Sequence, residues 1–158
     1  MIVRAMRSSG ALAILGVGAV HLQQYGAAYR AIPTIGTLFL LNGISSTIVG
    51  IGLLVPIERA VAARRANAAV AMLAMAAVAI AVGSLVALFI SESGSLFGLS
   101  ESGYRTPIVI AMVTEVATIA LLGPVATVTL ARAAARRQGA NTRRQGRRGS
   151  RPDYSAAR

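Results

Sequence analysis

Four stretches of the chain share one pattern: a long run of apolar residues with almost no charge, broken off by arginine, proline or a serine-glycine cluster. A hydrocarbon core about 30 Å thick takes roughly 20 apolar residues of α-helix. The pattern therefore predicts membrane spans at about 8–26, 33–55, 66–90 and 107–131. The third and fourth are each 25 residues long, and the only charge in either is Glu115. The first is the least regular, its apolar run from Ala11 to Val20 giving way to His21-Leu-Gln-Gln. With Arg4 and Arg7 ahead of it, this segment also has the layout of a secretory signal peptide. No clean small-x-small cleavage site follows the run, and an uncleaved first span is the better reading. The expected fold is an all-α, four-helix transmembrane bundle over residues 1–131, followed by a basic tail over 132–158.

Positively charged loops stay on the cytoplasmic side. Arg4 and Arg7 precede span one, Arg59, Arg64 and Arg65 separate spans two and three, and nine arginines follow span four. Only Arg30 and Arg105 fall on the other side, beside Glu92 and Glu101. Both termini are thus expected inside, in a bacterial plasma membrane, with two short outer connections. Tyr25, Tyr29, Phe97 and Tyr104 fall in those connections, as amphipathic rings at a headgroup rim would.

Composition sharpens this picture. The chain is 55% hydrophobic and 13% charged, against about a quarter charged for a soluble domain. The formal charge of +11 is nevertheless large, and all sixteen basic residues are arginine. Most of the charge is in residues 132–158, which hold nine arginines and one aspartate. That composition buries too little apolar surface to fold alone, so the tail is expected to be disordered. Attraction to anionic lipid headgroups, at about 1 kcal/mol per basic residue, is its default role. Nucleic acid is a weaker partner reading, because no aromatic interleaving or recognised module accompanies the arginines.

Helices in a bilayer associate by close packing of small residues. Span two carries Gly43, Ser46, Thr47 and Gly50 at three- and four-residue spacing, and ten of the 25 residues of span three are alanine. One face of span two is therefore shaped for close approach, to another span or to a second copy of the chain. Pro124 is expected to bend or loosen span four.

An ionisable side chain inside a span is a functional candidate, because it is costly to keep there. Counting about 1.5 Å per residue, Glu115 lies roughly 12 Å below the outer rim, Asn42 roughly 13 Å and His21 roughly 7–8 Å. These three form the expected cluster in the outer half of the bundle, with Gln24, Tyr25, Tyr29 and Arg30 above it. They are the candidates for ligand binding or proton carriage. The alternative is that they only cross-link helices through buried hydrogen bonds.

Other chemistry is excluded more firmly. No cysteine is present, which removes disulfides, thiolate ligands and a cysteine nucleophile. One histidine falls short of the three or four ligands of a zinc site and of a two-histidine haem within one chain. No nucleotide loop, serine nucleophile elbow or metalloprotease motif occurs, and no catalytic residue, metal or cofactor is expected.

The stretches His21-Leu-Gln-Gln-Tyr25, Tyr29-Arg30-Ala-Ile-Pro33-Thr-Ile-Gly36 and Leu38-Phe-Leu-Leu-Asn42 resemble a signature of small four-span membrane proteins of actinobacteria. Leu96-Phe97-Gly98, Glu101, Pro107 and Glu115 resemble its second half. The resemblance covers most of residues 10–125. It implies the four-span topology and supports the choice of residues, but it brings no reaction. Three functional readings follow. The first is a non-enzymatic small subunit of a membrane assembly, or a small-ligand-binding membrane protein. The second is a proton-coupled transporter of a small solute using Glu115 and His21. The third is a membrane enzyme acting on a quinone or lipid. A homo-oligomer or a larger membrane complex fits any of them.

Overall fold

The computed structural model describes residues 1–59, 61–94 and 105–149, with side-chain surroundings described up to about residue 139. Within these residues the chain forms α1 (Ile2–Gln24), α2 (Pro33–Leu54), α3 (Ala63–Ser93) and α4 (Thr106–Gly149). A wide turn, Tyr25–Tyr29, prolongs α1, and a short 3₁₀ turn, Ile57–Arg59, lies between α2 and α3. All four helices are long and apolar enough to cross a membrane. The chain is a multi-pass membrane protein; the expected spans 66–90 and 107–131 fall inside α3 and α4, while 8–26 and 33–55 overrun α1 and α2 by two residues and one.

Prolines set two of the boundaries. Pro33 opens α2 at its first position, where a missing N–H costs nothing, and Ile32 before it is extended. At the other end Pro56 holds Val55 out of the helical region, with φ −62° and ψ 131°, and α2 stops at Leu54. Pro124 sets no boundary, and α4 runs through it as one helix. α4 also continues past residue 131 to Gly149, so residues 132–149 of the expected tail are helical. Extending a formed helix needs no new nucleus, and alanine, arginine and glutamine all favour it. The rest of the tail, with Tyr154, lies outside the described residues, as do Phe97, Glu101 and Tyr104.

The helices form a four-sided bundle in which α1 packs on α2 and α4, and α3 packs on α4. The α2–α3 side is the thinnest, and α1 and α3 meet only across the diagonal. Neighbours run antiparallel: Gly50 faces Leu15 and Ala11 whereas Gly43 faces Leu22 and Gly18. The small-residue face of α2 is therefore turned to α1. Ser46 is fully buried there, and a Cβ at Gly43 would come 2.6 Å from Leu22 Cγ. This settles the partner that spacing alone left open.

Large apolar side chains point outward, including Leu41, Ile48 and Ile51 of α2, Met72 and Val86 of α3, and Val113 and Val116 of α4. In water such a surface would drive association. In a bilayer it is the solvated face. The packed core, with Ile14, Leu53, Val70, Ala74, Leu122 and Val125, occupies the half nearer the N-terminus and the α2–α3 connection. We call that the terminal half. The other half, where α1 turns into α2, is the hairpin half, and it is hollow.

Candidate functional site

The hollow is a cavity of about 410 Å³ lined by all four helices. Most of its wall is aliphatic, from residues such as Ile35, Leu38, Ile80 and Leu88. His21, Gln24, Tyr29, Asn42, Ser84 and Glu115 bring polar groups to it.

α1 supplies His21, 7% exposed, one helical turn beyond Val17. Its Nδ1 lies 2.9 Å from the Val17 carbonyl oxygen. A carbonyl only accepts, so Nδ1 carries a proton and donates, and in the neutral ring Nε2 is the acceptor. Ser84 Oγ of α3 lies 3.1 Å from that nitrogen and donates to it. α4 supplies Glu115, 1% exposed, with Oε1 4.0 Å from His21 Nε2. The Ser84 hydroxyl also faces the Glu115 carboxyl. Glu115 Oε1 itself makes no hydrogen bond among the described residues. The serine hydroxyl thus bridges the only imidazole of the chain and its deepest carboxyl. Thr114 and Thr118 beside the glutamate are satisfied within α4, donating to Ala111 and Thr114 carbonyls at 2.9 and 2.7 Å.

The roof is aromatic. Over Tyr25–Tyr29 the helix widens, and the Arg30 N–H donates to the Tyr25 carbonyl five residues back at 3.0 Å. Wide turns of this kind are rare and often mark functional sites. Its effect is to bring Tyr29 inward, to 6% exposure, although a tyrosine of the outer rim was expected there. The Tyr29 ring stacks on Phe39 of α2 with centroids 4.3 Å apart, and Phe39 lies 5.1 Å from the His21 ring. Arg105 Nη2 donates to Tyr29 Oη at 3.2 Å, tying the start of α4 to the same ring. Gly36 permits this closure, because a Cβ there would stand 2.6 Å from the Tyr29 carbonyl oxygen.

Among the sequence-selected residues, His21, Gln24, Tyr29, Asn42 and Glu115 line the one cavity, and Asn42 Oδ1 accepts from Ser46 Oγ at 3.0 Å. Tyr25 and Arg30 do not line it, and Arg30 is exposed. Ser84, Phe39 and Arg105 complete the site and were not selected. Ser84 had a usable signal, as the one polar side chain of residues 68–90. No group of three His, Cys, Asp or Glu side chains suited to a metal ion occurs among the described residues. No protein-family model, curated protein or solved structure matches the chain.

Proposed function

We propose that the protein binds a small, largely apolar molecule in the hairpin half of the bundle, with Glu115, Ser84 and His21 as the polar floor of the site. One observation carries this reading: a buried carboxyl oxygen without a hydrogen bond faces a preformed cavity of about 410 Å³. Pockets of this size and character, mainly apolar with a few convergent polar groups, are typical of small-molecule sites. A sealed bundle would instead bond the carboxyl to Asn42 or to backbone. The role is non-enzymatic, as a binding protein or a ligand-binding subunit of a larger membrane complex of the actinobacterial four-span type. The arginine distribution supports a bacterial plasma membrane with both termini cytoplasmic and the cavity in the outer half. The arginine-rich C-terminal segment would then lie against anionic headgroups of the inner leaflet.

The test is to purify wild type and Glu115→Leu in mild detergent and identify retained small molecules by mass spectrometry. Loss of a hydrogen bond to a buried charged or polar group reduces retention about tenfold or more. Equal retention by the two proteins, or none by either, contradicts the proposal. The contact chain Glu115–Ser84–His21 favours one second reading, proton-coupled movement of the bound molecule. In vesicles it requires a proton flux that depends on solute and disappears in Glu115→Gln.

A further inference from the structure

The cavity has a side door. In the terminal half α2 and α3 are in contact, with Gly52 against Leu73 and with Leu53, Val70 and Ala74 in one core. In the hairpin half the facing residues of the same two helices are exposed. Leu38 and Leu41 line the cavity and are also 43% and 56% exposed, while Gly83 and Ala79 on the facing helix line it and are exposed as well. A Cβ added at Gly83 would meet nothing within 4 Å. These residues lie on the faces that the bilayer covers, so the gap opens to lipid and not to water.

The floor restricts what enters. Ser84 has a single hydroxyl proton, for which His21 Nε2 and the Glu115 carboxyl compete. Glu115 Oε1 makes no hydrogen bond among the described residues and lies 4.0 Å from His21 Nε2. A ligand hydroxyl meets that oxygen whether Glu115 is ionised, by donating to it, or protonated, by accepting from it. An ammonium head donates only, so it meets the Glu115 carboxyl only in its ionised form. A carboxylate head would oppose Glu115. Resting on the proposed binding role, we infer that the occupant is a neutral membrane-dissolved amphiphile with a compact hydroxyl head and an apolar chain, and that it enters from the bilayer between α2 and α3. Its head reaches Glu115 and Ser84 beneath Phe39. Its chain lies in the gap beside Leu41 and Gly83.

The test uses a dodecanol carrying a photoactivatable diazirine, incorporated into vesicles with the full chain. Labelled peptides are mapped by mass spectrometry, and competition is run with dodecanol, dodecylamine, dodecanoate and dodecane, which share one chain and differ in the head. Labelling is expected on α2 and α3 around Phe39–Ser45 and Ala79–Ala87. Dodecanol should compete about tenfold better than dodecane, the value of one hydrogen bond to a buried polar group. Gly83→Phe, which plugs the gap, should slow labelling about tenfold, the rate equivalent of the same free energy. Gly139→Ala, which adds a methyl in open space on α4 outside the cavity, should leave the rate unchanged and serves as the folded reference. Best competition by dodecylamine or dodecanoate, no advantage of dodecanol over dodecane, or an unchanged rate in Gly83→Phe overturns the inference. If these fail while Glu115-dependent retention of some other molecule persists, only the class of occupant and its route fall.

Discussion

A methyl group at Gly36 should unfold the roof of the site, although alanine is ordinarily the better helix residue. In an open helix position, glycine to alanine gains about 0.5–1 kcal/mol by lowering the entropy lost on folding. At Gly36 the new Cβ would stand 2.6 Å from the Tyr29 carbonyl oxygen, 3.3 Å from its carbon and 3.4 Å from Arg30 Cα. All three are backbone atoms, so no side chain can rotate away and the wide turn itself must shift. Overpacking of this kind costs about 1–3 kcal/mol, and separating Tyr29 from Phe39 about 0.5–1.5 kcal/mol more. Net of the helix gain, Gly36→Ala is expected to destabilise by about 1–3 kcal/mol. Gly83→Ala is the internal control. It places the same methyl in open space on a helix and should be neutral or stabilising by up to about 1 kcal/mol. Both are read from far-ultraviolet circular dichroism as sodium dodecyl sulfate is titrated into a mild detergent. If Gly36→Ala is as stable as Gly83→Ala, the close approach of α2 to the wide turn is wrong, and with it the position of Tyr29 over the cavity.

Two other expectations concern the terminal half. Leu122 is fully buried and packs against Gly10 of α1, so Leu122→Ala leaves a void. Because lipid is as apolar as the core, only packing is lost, and the same titration should show a cost near the lower end of the about 2–5 kcal/mol seen in water. Arg7 of α1 pairs with Glu58 in the α2–α3 connection. Partial burial pushes the Glu58 carboxyl upward, but a backbone hydrogen bond and the Arg7 and Arg4 charges outweigh it and hold the carboxyl below its usual 4.5. A lowered carboxyl stabilises the folded state above the unfolded value, and that contribution fades as pH falls below about 4.5. Glu58→Gln should therefore cost at most about 1 kcal/mol at neutral pH and nothing in strong acid, measured by denaturation midpoints across pH. A larger gap in acid than at neutrality would contradict the sign.

The spans were legible because the bilayer imposes one length on every helix, and the arginines and prolines of this chain mark the ends. The face of α2 bearing Gly43, Ser46 and Gly50 was legible as a contact surface, since small residues at helical spacing have no other use in lipid. Its partner was not, because one sequence does not say which neighbour fills the groove. The constant rise of a helix put Asn42 and Glu115 at nearly one depth with His21 shallower, and all three line the cavity. Tyr29, read both as an outer-rim ring and as a candidate above the cluster, lines the cavity. A regular helix would have carried it to the rim, and the single wide turn at Tyr25–Tyr29, which no periodicity announces, brings it inside. Ser84 was hidden by its alanine-rich surroundings, and its importance comes from facing two groups on other helices. The parting of α2 and α3 has no sequence signature at all, since it depends on how four helices lean on one another.

The most direct test of a hollow, ligand-accepting hairpin half is a structure determined by electron cryo-microscopy in a lipid nanodisc. The expected result is α2 and α3 apart at the level of Asn42 and Gly83, with density between them that reaches the Glu115 carboxyl beneath Phe39. Closure of α2 on α3 along their full length, with Glu115 bonded to Asn42 or to backbone, would contradict it.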